Sequence, residues 1–352
     1  MADDRPAAKV RVSAILPVRD PGPGLGPALE AVRTSLSVQD ELIVVDDGST
    51  DGTDVVLRNT DLRGLPTTVL TGVGAGVGAA RNLGLAQARG EMVWFVDWDD
   101  RWDPSIIGLL YAARVASGAP VVGCGADLVD ARGRRLEMLG TVDRPTLLTG
   151  GQIGVAILDG RIRGYLWNKL FARDILGEAP FPAYQTRSDF AGSAELMARL
   201  PSVYLLPNIL FHHVQRPGSV TTSQHPTLDT LRRSLHIGER VAEAARTHPD
   251  GRADEGTVHA ALREFRYREW HLAVAGTAMR APLDPATRSE WLRLALDGAL
   301  LRHVPHLLRR DPVLAARAAV LATAGRHYPA VYWSVVRLRA GMRRLTDRGA
   351  PE

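Results

Sequence analysis

Short apolar runs rich in valine and isoleucine alternate with helix-patterned stretches through the front of this chain, and two of those runs end in carboxylates. Residues 10–16, 41–45, 67–70, 92–96 and 121–124 read as strands, the first closed by Pro17. Between them, residues 25–36, 53–58, 78–89 and 104–116 carry apolar side chains at helical spacing. Pro104 suits the first turn of the last of these helices. Parallel neighbours need crossovers long enough to hold a helix, so this alternation predicts an α/β fold with a Rossmann-like, mostly parallel sheet. In such sheets ligands gather at the carboxyl ends of the strands. The second strand ends in Asp46-Asp47-Gly48-Ser49 and the fourth in Asp97-Trp98-Asp99-Asp100, which puts both carboxylate groups at that edge.

The rest of the chain has a different texture. Ala126 to Asp130, Gly133 and Leu136 read as a hairpin, 189–200 as a helix, and 203–206 and 209–214 as strands. After His225-Pro226 the pattern turns almost wholly helical, broken near 249–251, 282–285, Pro305 and Pro329. The predicted division is therefore a front domain of residues 1–226, split near 125, and a helical region of 227–352. Charge divides along nearly the same line. From residue 230 onward there are 21 arginines against 13 acidic residues, whereas the first 229 residues hold 22 basic against 26 acidic. An acidic front and an arginine-rich back predict an anionic partner for the back. Tyr328, Tyr332, Trp333, Val336, Leu338, Met342 and Leu345 lie among Arg337, Arg339, Arg343 and Arg344, the pattern of a basic helix resting on an anionic bilayer. The competing reading is a helix packed on its own domain. Basic charge without a stacking platform gives no reason to expect nucleic acid.

Composition excludes several classes. With 45% apolar and 23% charged residues the chain is globular rather than disordered. A single cysteine, Cys124, excludes a disulfide framework and a cysteine-rich zinc site. No apolar run reaches a membrane-spanning length, and the charged start carries no secretory pattern, so the cytoplasm is the expected compartment.

The sharpest chemical feature is Asp97-x-Asp99-Asp100. Residues two apart on a strand share a face, so Asp97 and Asp99 converge if the extended form persists. Two carboxylates at about 4 Å repel by about 1 kcal/mol in water and about 4 kcal/mol at an effective dielectric near 20. A divalent cation removes that cost, and hard oxygen donors favour Mg²⁺ or Mn²⁺. A solvated acidic turn is the plainer alternative. Residues 72–79 offer a second feature, since Gly74-x-Gly76-x-x-Ala79 fits a dinucleotide fingerprint between a strand and a helix. That fit would make the chain a nicotinamide-dependent oxidoreductase and leave four of the edge carboxylates without work.

Taken in order, Ile15-Leu16-Pro17-Val18, Val44-Val45-Asp46-Asp47-Gly48-Ser49-Thr50-Asp51-Gly52-Thr53, Gly78-Ala79-Ala80-Arg81-Asn82-Leu83-Gly84 and Gly90 to Asp100 resemble the family 2 glycosyltransferases. Trp167-Asn168-Lys169-Leu170-Phe171 and Arg216-Pro217-Gly218-Ser219-Val220-Thr221 extend the resemblance to roughly residues 10–225. It implies a GT-A fold and transfer of sugar from a nucleoside diphosphate sugar, UDP-linked by preference, with inversion. By the same resemblance Pro17, Val18, Asp46 and Asp47 hold the nucleoside and Arg81 lies near the diphosphate. Asp97 and Asp99 bind the metal with Asp100 beside them, and one of His212 and His213 closes on it. Asp189, at a helix start, is the general base; as a plain helix cap it would have no such role. Asn168 and Lys169 fall on the acceptor side. Two departures stand out: Trp98 occupies a position that is usually small, and Arg19-Asp20 replaces an aromatic-asparagine pair. The acceptor stays open among lipid-linked or envelope glycans, natural products and peptides. A module that binds the donor without turning it over is the main alternative.

Overall fold

The computed structural model describes residues 10–347 apart from 61, 63, 183–186, 216–224 and 300, with side chains described up to 337 except at 326. The chain divides into two compact units, one of residues 1–224 with 237–258, the other of 225–236 with 259–352.

The first unit is built on one mixed sheet. Its strands are β1 (Val12–Val18), β2 (Glu41–Asp46), β3 (Thr67–Thr71), β4 (Met92–Phe95), β5 (Arg101–Trp102), β6 (Val121–Val129), β7 (Arg135–Met138), β8 (Thr146–Thr149), β9 (Lys169–Ala172) and β10 (Ser202–Val214). They lie in the order β3-β2-β1-β4-β9-β6-β10-β5, with β7 beside β6 and β8 beside β10. The run β3-β2-β1-β4 is parallel throughout, as the alternation predicts. Every residue of β1 is buried, the mark of a strand covered on both faces. Helices α1 (Leu25–Ser35), α2 (Thr53–Asn59), α3 (Val77–Gln87) and α4 (Ile106–Ser117) form the crossovers. Leu25, Leu29 and Val32 recur at helical spacing on α1 and join the sheet core with Leu16, Val44, Trp94 and Leu110.

Three local readings change. Pro17 does not close β1, which runs on to Val18. The pairing with β4 extends only to Ile15, so beyond it β1 has a partner on one side alone and a missing N–H is tolerated. The run 169–172 is a strand inserted antiparallel between β4 and β6. Residues 203–206 and 209–214 belong to one strand, β10, whose register shifts near Ile209. The predicted hairpin is present as β6 and β7.

Helices α5 (Gly151–Asp159) and α6 (Ser188–Met197) follow, then α7 (Leu228–Thr247). Residues 237–258 lie past the sequence boundary near 226 but pack with the front unit. A Cβ at Gly154 of α5 would lie 2.8 Å from Ala245 Cβ on α7, so the two helices meet almost backbone to backbone. The second unit is helical, around Leu231, Val274, Ala278, Trp291, Leu321 and Tyr328. Pro305 and Pro329 open the helices Val304–Leu308 and Tyr328–Asp347, in first turns where a missing N–H costs nothing.

Crossover α3 is pressed hard against the sheet. A Cβ at Gly84 would lie 2.5 Å from Ile15 Cγ2 and 3.2 Å from Val45 Cγ2. Gly84→Val is therefore expected to destabilise the protein by about 1–3 kcal/mol through overpacking. Urea unfolding checks this; an unchanged midpoint would show that the contact can relax.

Candidate active site

The carboxyl ends of β1 and β2 lie side by side, Val18 opposite Asp46, and Asp47 N–H donates to Val18 O at 2.9 Å. Pro17 and Val18 are buried, so this corner is walled by backbone. Half-buried Asp46 turns back to accept Ser49 N–H at 2.9 Å. The two turns that follow are stitched together. Asp20, at φ 45°, accepts Thr50 N–H at 2.7 Å while its own N–H donates to Ser49 Oγ at 2.9 Å. Asp51 accepts Gly22 N–H at 2.6 Å. These ties explain the Arg19-Asp20 departure: Asp20 anchors the turn and Arg19 reaches Gly74 O at 3.4 Å. Nothing in the sequence pattern pointed to Asp20 or Asp51 as fasteners.

The glycine loop has a different use from the one its spacing offers. Gly74 and Ala75 N–H donate to Asp47 Oδ1 at 3.0 and 3.1 Å, and Gly76 N–H donates to Asp47 Oδ2 at 2.7 Å. Gly74 at φ 76° and Gly76 at φ 95° need the left-handed region to point these groups inward. The loop thus wraps a carboxylate of its own chain in the way such loops wrap a phosphate. Those amides are engaged, which speaks against the dinucleotide reading. Asp47 itself is buried, its carboxylate engaged in holding the loop.

Past the end of β4 the charged groups converge. Arg81, on α3, is buried and donates from its terminal nitrogen to Asp97 Oδ1 at 2.8 Å. Its Nε is buried with no hydrogen-bond partner among the described residues. Asp189 stands in the first turn of α6. Burial pushes its carboxyl above the usual range; Arg81 pulls the other way and Asp97 adds to the rise. Arg81, Asp97 and Asp189 therefore share one electrostatic neighbourhood.

The remaining acidic residues divide. Asp100 is buried and accepts Val214 N–H at 2.8 Å. His213 Nδ1 lies 2.9 Å from Asp100 Oδ1. Burial raises the Asp100 carboxyl, with His213 opposing. Burial lowers the His213 imidazolium, but the bond to Asp100 and the fields of Asp97 and Asp99 outweigh it, and its pKa is raised. Of the two candidate histidines, His213 faces this cluster. His212 points to the other side of β10, 2.6 Å from Asp127, which Arg135 also pairs at 2.8 Å. Trp98 fits because its ring lies over the β1–α1 turn: a Cβ at Gly24 would be 2.6 Å from Trp98 Cζ3.

Lys169 is buried and donates to Arg163 O, Tyr165 O and Asn168 Oδ1 at 2.9, 2.7 and 2.8 Å. Burial lowers its pKa to about 7, against the pull of Cys124 and Asp189. Asn168 Nδ2 donates to Cys124 O at 2.6 Å. Cys124 is buried, and that burial pushes its thiol up to about 12. The Arg216–Thr221 stretch lies outside the described residues.

Among the described residues, no three His, Cys, Asp or Glu side chains gather closely enough to form a self-sufficient metal cage. The donors nevertheless suit a hard divalent ion that takes one or two carboxylates and leaves positions for phosphate oxygens. Asp97 and Asp99 are half-buried oxygen donors, and the field of both is felt at His213.

Residues 13–130 match the model of Glycosyl transferase family 2. EpsH of Bacillus subtilis strain 168, which bears a glycosyltransferase name, is 27% identical over 197 residues, 53% of this chain and 55% of EpsH. A cholesterol galactosyltransferase of Borreliella burgdorferi is 24% identical over 205 residues, 55% of this chain and 57% of that protein. The chain thus spans about half the length of these curated relatives. Among solved structures, S. aureus TarS residues 1–349 in complex with UDP-GlcNAc superposes with a TM-score of 0.59 at 18% identity, covering 90% of this chain and 91% of that one. That likeness concerns the fold.

Asp47→Ala removes the acceptor for three loop N–H groups. It is expected to cost about 1–3 kcal/mol of stability and to speed amide exchange at residues 74–76. Exchange as slow as in the parent protein would show that the loop holds its own shape.

Proposed function

We propose that this chain, whose residues 13–130 match the model of Glycosyl transferase family 2 and whose fold is that of a GT-A glycosyltransferase, moves a sugar from a nucleoside diphosphate donor, UDP-linked by preference, to an acceptor hydroxyl with inversion at the anomeric carbon. The observation that carries this reading is the buried Arg81, paired with Asp97 and lying beside Asp189, with an Nε that has no hydrogen-bond partner among the described residues. In this reading a guanidinium with a hydrogen-bonding position left over, set at the ligand edge of the sheet, is the group that meets the diphosphate.

In this reading Pro17, Val18 and Asp46 line the nucleoside end, and Asp47 keeps the glycine loop in shape beside it. Arg81 takes the diphosphate. Asp97 and Asp99 hold Mg²⁺ or Mn²⁺, with Asp100 fixed behind them by His213. The bound ion supplies positive charge against the charge growing on the departing diphosphate. Asp189 takes the proton of the acceptor hydroxyl while that oxygen forms its bond to the anomeric carbon, opposite the breaking carbon–phosphate-oxygen bond. The raised pKa of Asp189 brings it toward working pH, where a base is most effective. The catalytic part is residues 1–226, with a donor half of about 10–125 and an acceptor half of 126–226.

The reading extends to a cytoplasmic enzyme whose last helix touches an anionic membrane. Among the described residues no helix is long and apolar enough to cross a membrane. On Tyr328–Asp347, Tyr328 is buried in its own unit with Tyr332 against the same cluster, while Trp333, Val335 and Val336 are exposed. The inward face fits the packed reading, and the outward face is what a bilayer would meet. A lipid-linked or envelope acceptor suits such a contact; a natural product or peptide does not need it.

Asp189→Asn is expected to lower turnover by a factor on the order of 10²–10⁴ while donor binding, followed by calorimetry, persists; undiminished turnover would discard the assignment. A protonated Asp189 cannot accept a proton, so activity falls as pH drops through its raised pKa. The acid limb of the rate profile should therefore lie above the ordinary carboxylate range and vanish in Asp189→Asn. In a thermal-shift series of nucleoside diphosphates and their sugars, Asp99→Ala should lose the increment that Mn²⁺ adds. A donor-dependent shift without turnover in the parent protein would identify a binding module instead.

A further inference from the structure

Asn82 and Lys169 lie in the family-like segments without a part in the chemistry above, and both face structure that leads to the helix of Asp189. Asn82 follows Arg81 on α3. Its Nδ2 donates to Phe181 O at 2.8 Å, and its Oδ1 accepts Phe181 N–H at 3.1 Å. One side chain thus satisfies both backbone groups of a residue 99 positions away. Phe181 is buried with its ring edge-on to Phe95 of β4 at 4.9 Å, two residues before Asp97. The approach to α3 is close enough that a Cβ at Gly78 would lie 2.8 Å from Pro182 O.

Phe181 also carries α6. A Cβ at Gly192 would lie 2.7 Å from Phe181 Cδ1 and 2.7 Å from Pro180 O. Gly192 is three residues after Asp189, on the same face of the helix. A second support comes from the loop before β9. A Cβ at Gly164 would lie 2.5 Å from Phe190 Cδ2, and Ser193 Oγ donates to Gly164 O at 3.1 Å. Lys169 grips that loop on both sides of Gly164, through Arg163 O and Tyr165 O. Helix α6 therefore rests on two backbone segments, each fastened by one side chain from elsewhere in the unit.

We infer that Asn82 and Lys169 are positioning residues for Asp189: Asn82 fixes Phe181 under the helix, and Lys169 fixes residues 163–165 beside it. The inference rests on Asp189 being the base, but the fastening itself does not. A base displaced by an ångström loses on the order of 100-fold in rate, with little effect on a donor held by Arg81 and the carboxylates.

The test uses Asn82→Ala, Asn82→Asp and Lys169→Met in the full chain, with amide exchange, donor affinity and turnover measured side by side. Asn82→Asp keeps the acceptor for Phe181 N–H and removes the donor, so it should fall between Ala and the parent. The expected result is faster exchange across residues 188–197 with β1 and β2 unchanged, kcat reduced 10- to 100-fold, and donor KM within twofold. Exchange in α6 equal to the parent's overturns the inference, whatever the activity. Faster exchange throughout the unit, or KM rising in step with the loss of kcat, also overturns it by reducing both residues to general stability. If α6 loosens while the parent turns over no donor, the fastening stands and the glycosyltransferase reading of Asp189 falls.

Discussion

A guanidinium keeps its charge at any working pH, so an arginine drawn into the interior must find anions there. Arg81 meets Asp97 at 2.8 Å and lies in the field of Asp189. Those carboxylates come from the end of a strand and the start of a distant helix. Their proximity explains why α3, β4 and α6 must meet at one point of the sheet edge. Glycines make the close packing around it possible: Gly84 lets α3 lie against β1 and β2, and Gly78 and Gly192 let α3 and α6 each lie against residues 180–182. Removing one member of such a cluster leaves its partners buried without compensation, which is far costlier than losing a surface ion pair.

A second set of contacts shapes the neighbouring end of the edge. Asp20, Asp47 and Asp51 each accept backbone N–H groups from another turn, so three loops become one rigid corner. In a sequence these residues look like acidic turn formers or ligand-binding carboxylates. Their role as internal anchors depends on which loop lies opposite, and local pattern does not carry that information.

Much of the front domain was nevertheless legible. Apolar runs such as 10–16 and 41–45, alternating with helix-patterned stretches, signal a parallel sheet, and the carboxylates that follow the second and fourth strands mark the ligand edge. Strand β9 was harder to read because its four residues follow no turn signal and it enters the sheet backwards. The choice between His212 and His213 depended on strand alternation, which allows one of the pair to face the cluster without saying which. Register against β6 decides it by setting His212 opposite Asp127. Asn82 offered a faint signal: asparagine is a poor helix former, and one placed mid-helix often has a partner elsewhere.

The burial of Cys124 beneath Asn168 has a practical side. A thiol shifted to about 12 holds almost no thiolate at neutral pH. Alkylating reagents should pass over the chain's sole sulfhydryl, so a cysteine placed on any exposed loop would take a fluorophore or spin label alone, without first stripping the native one.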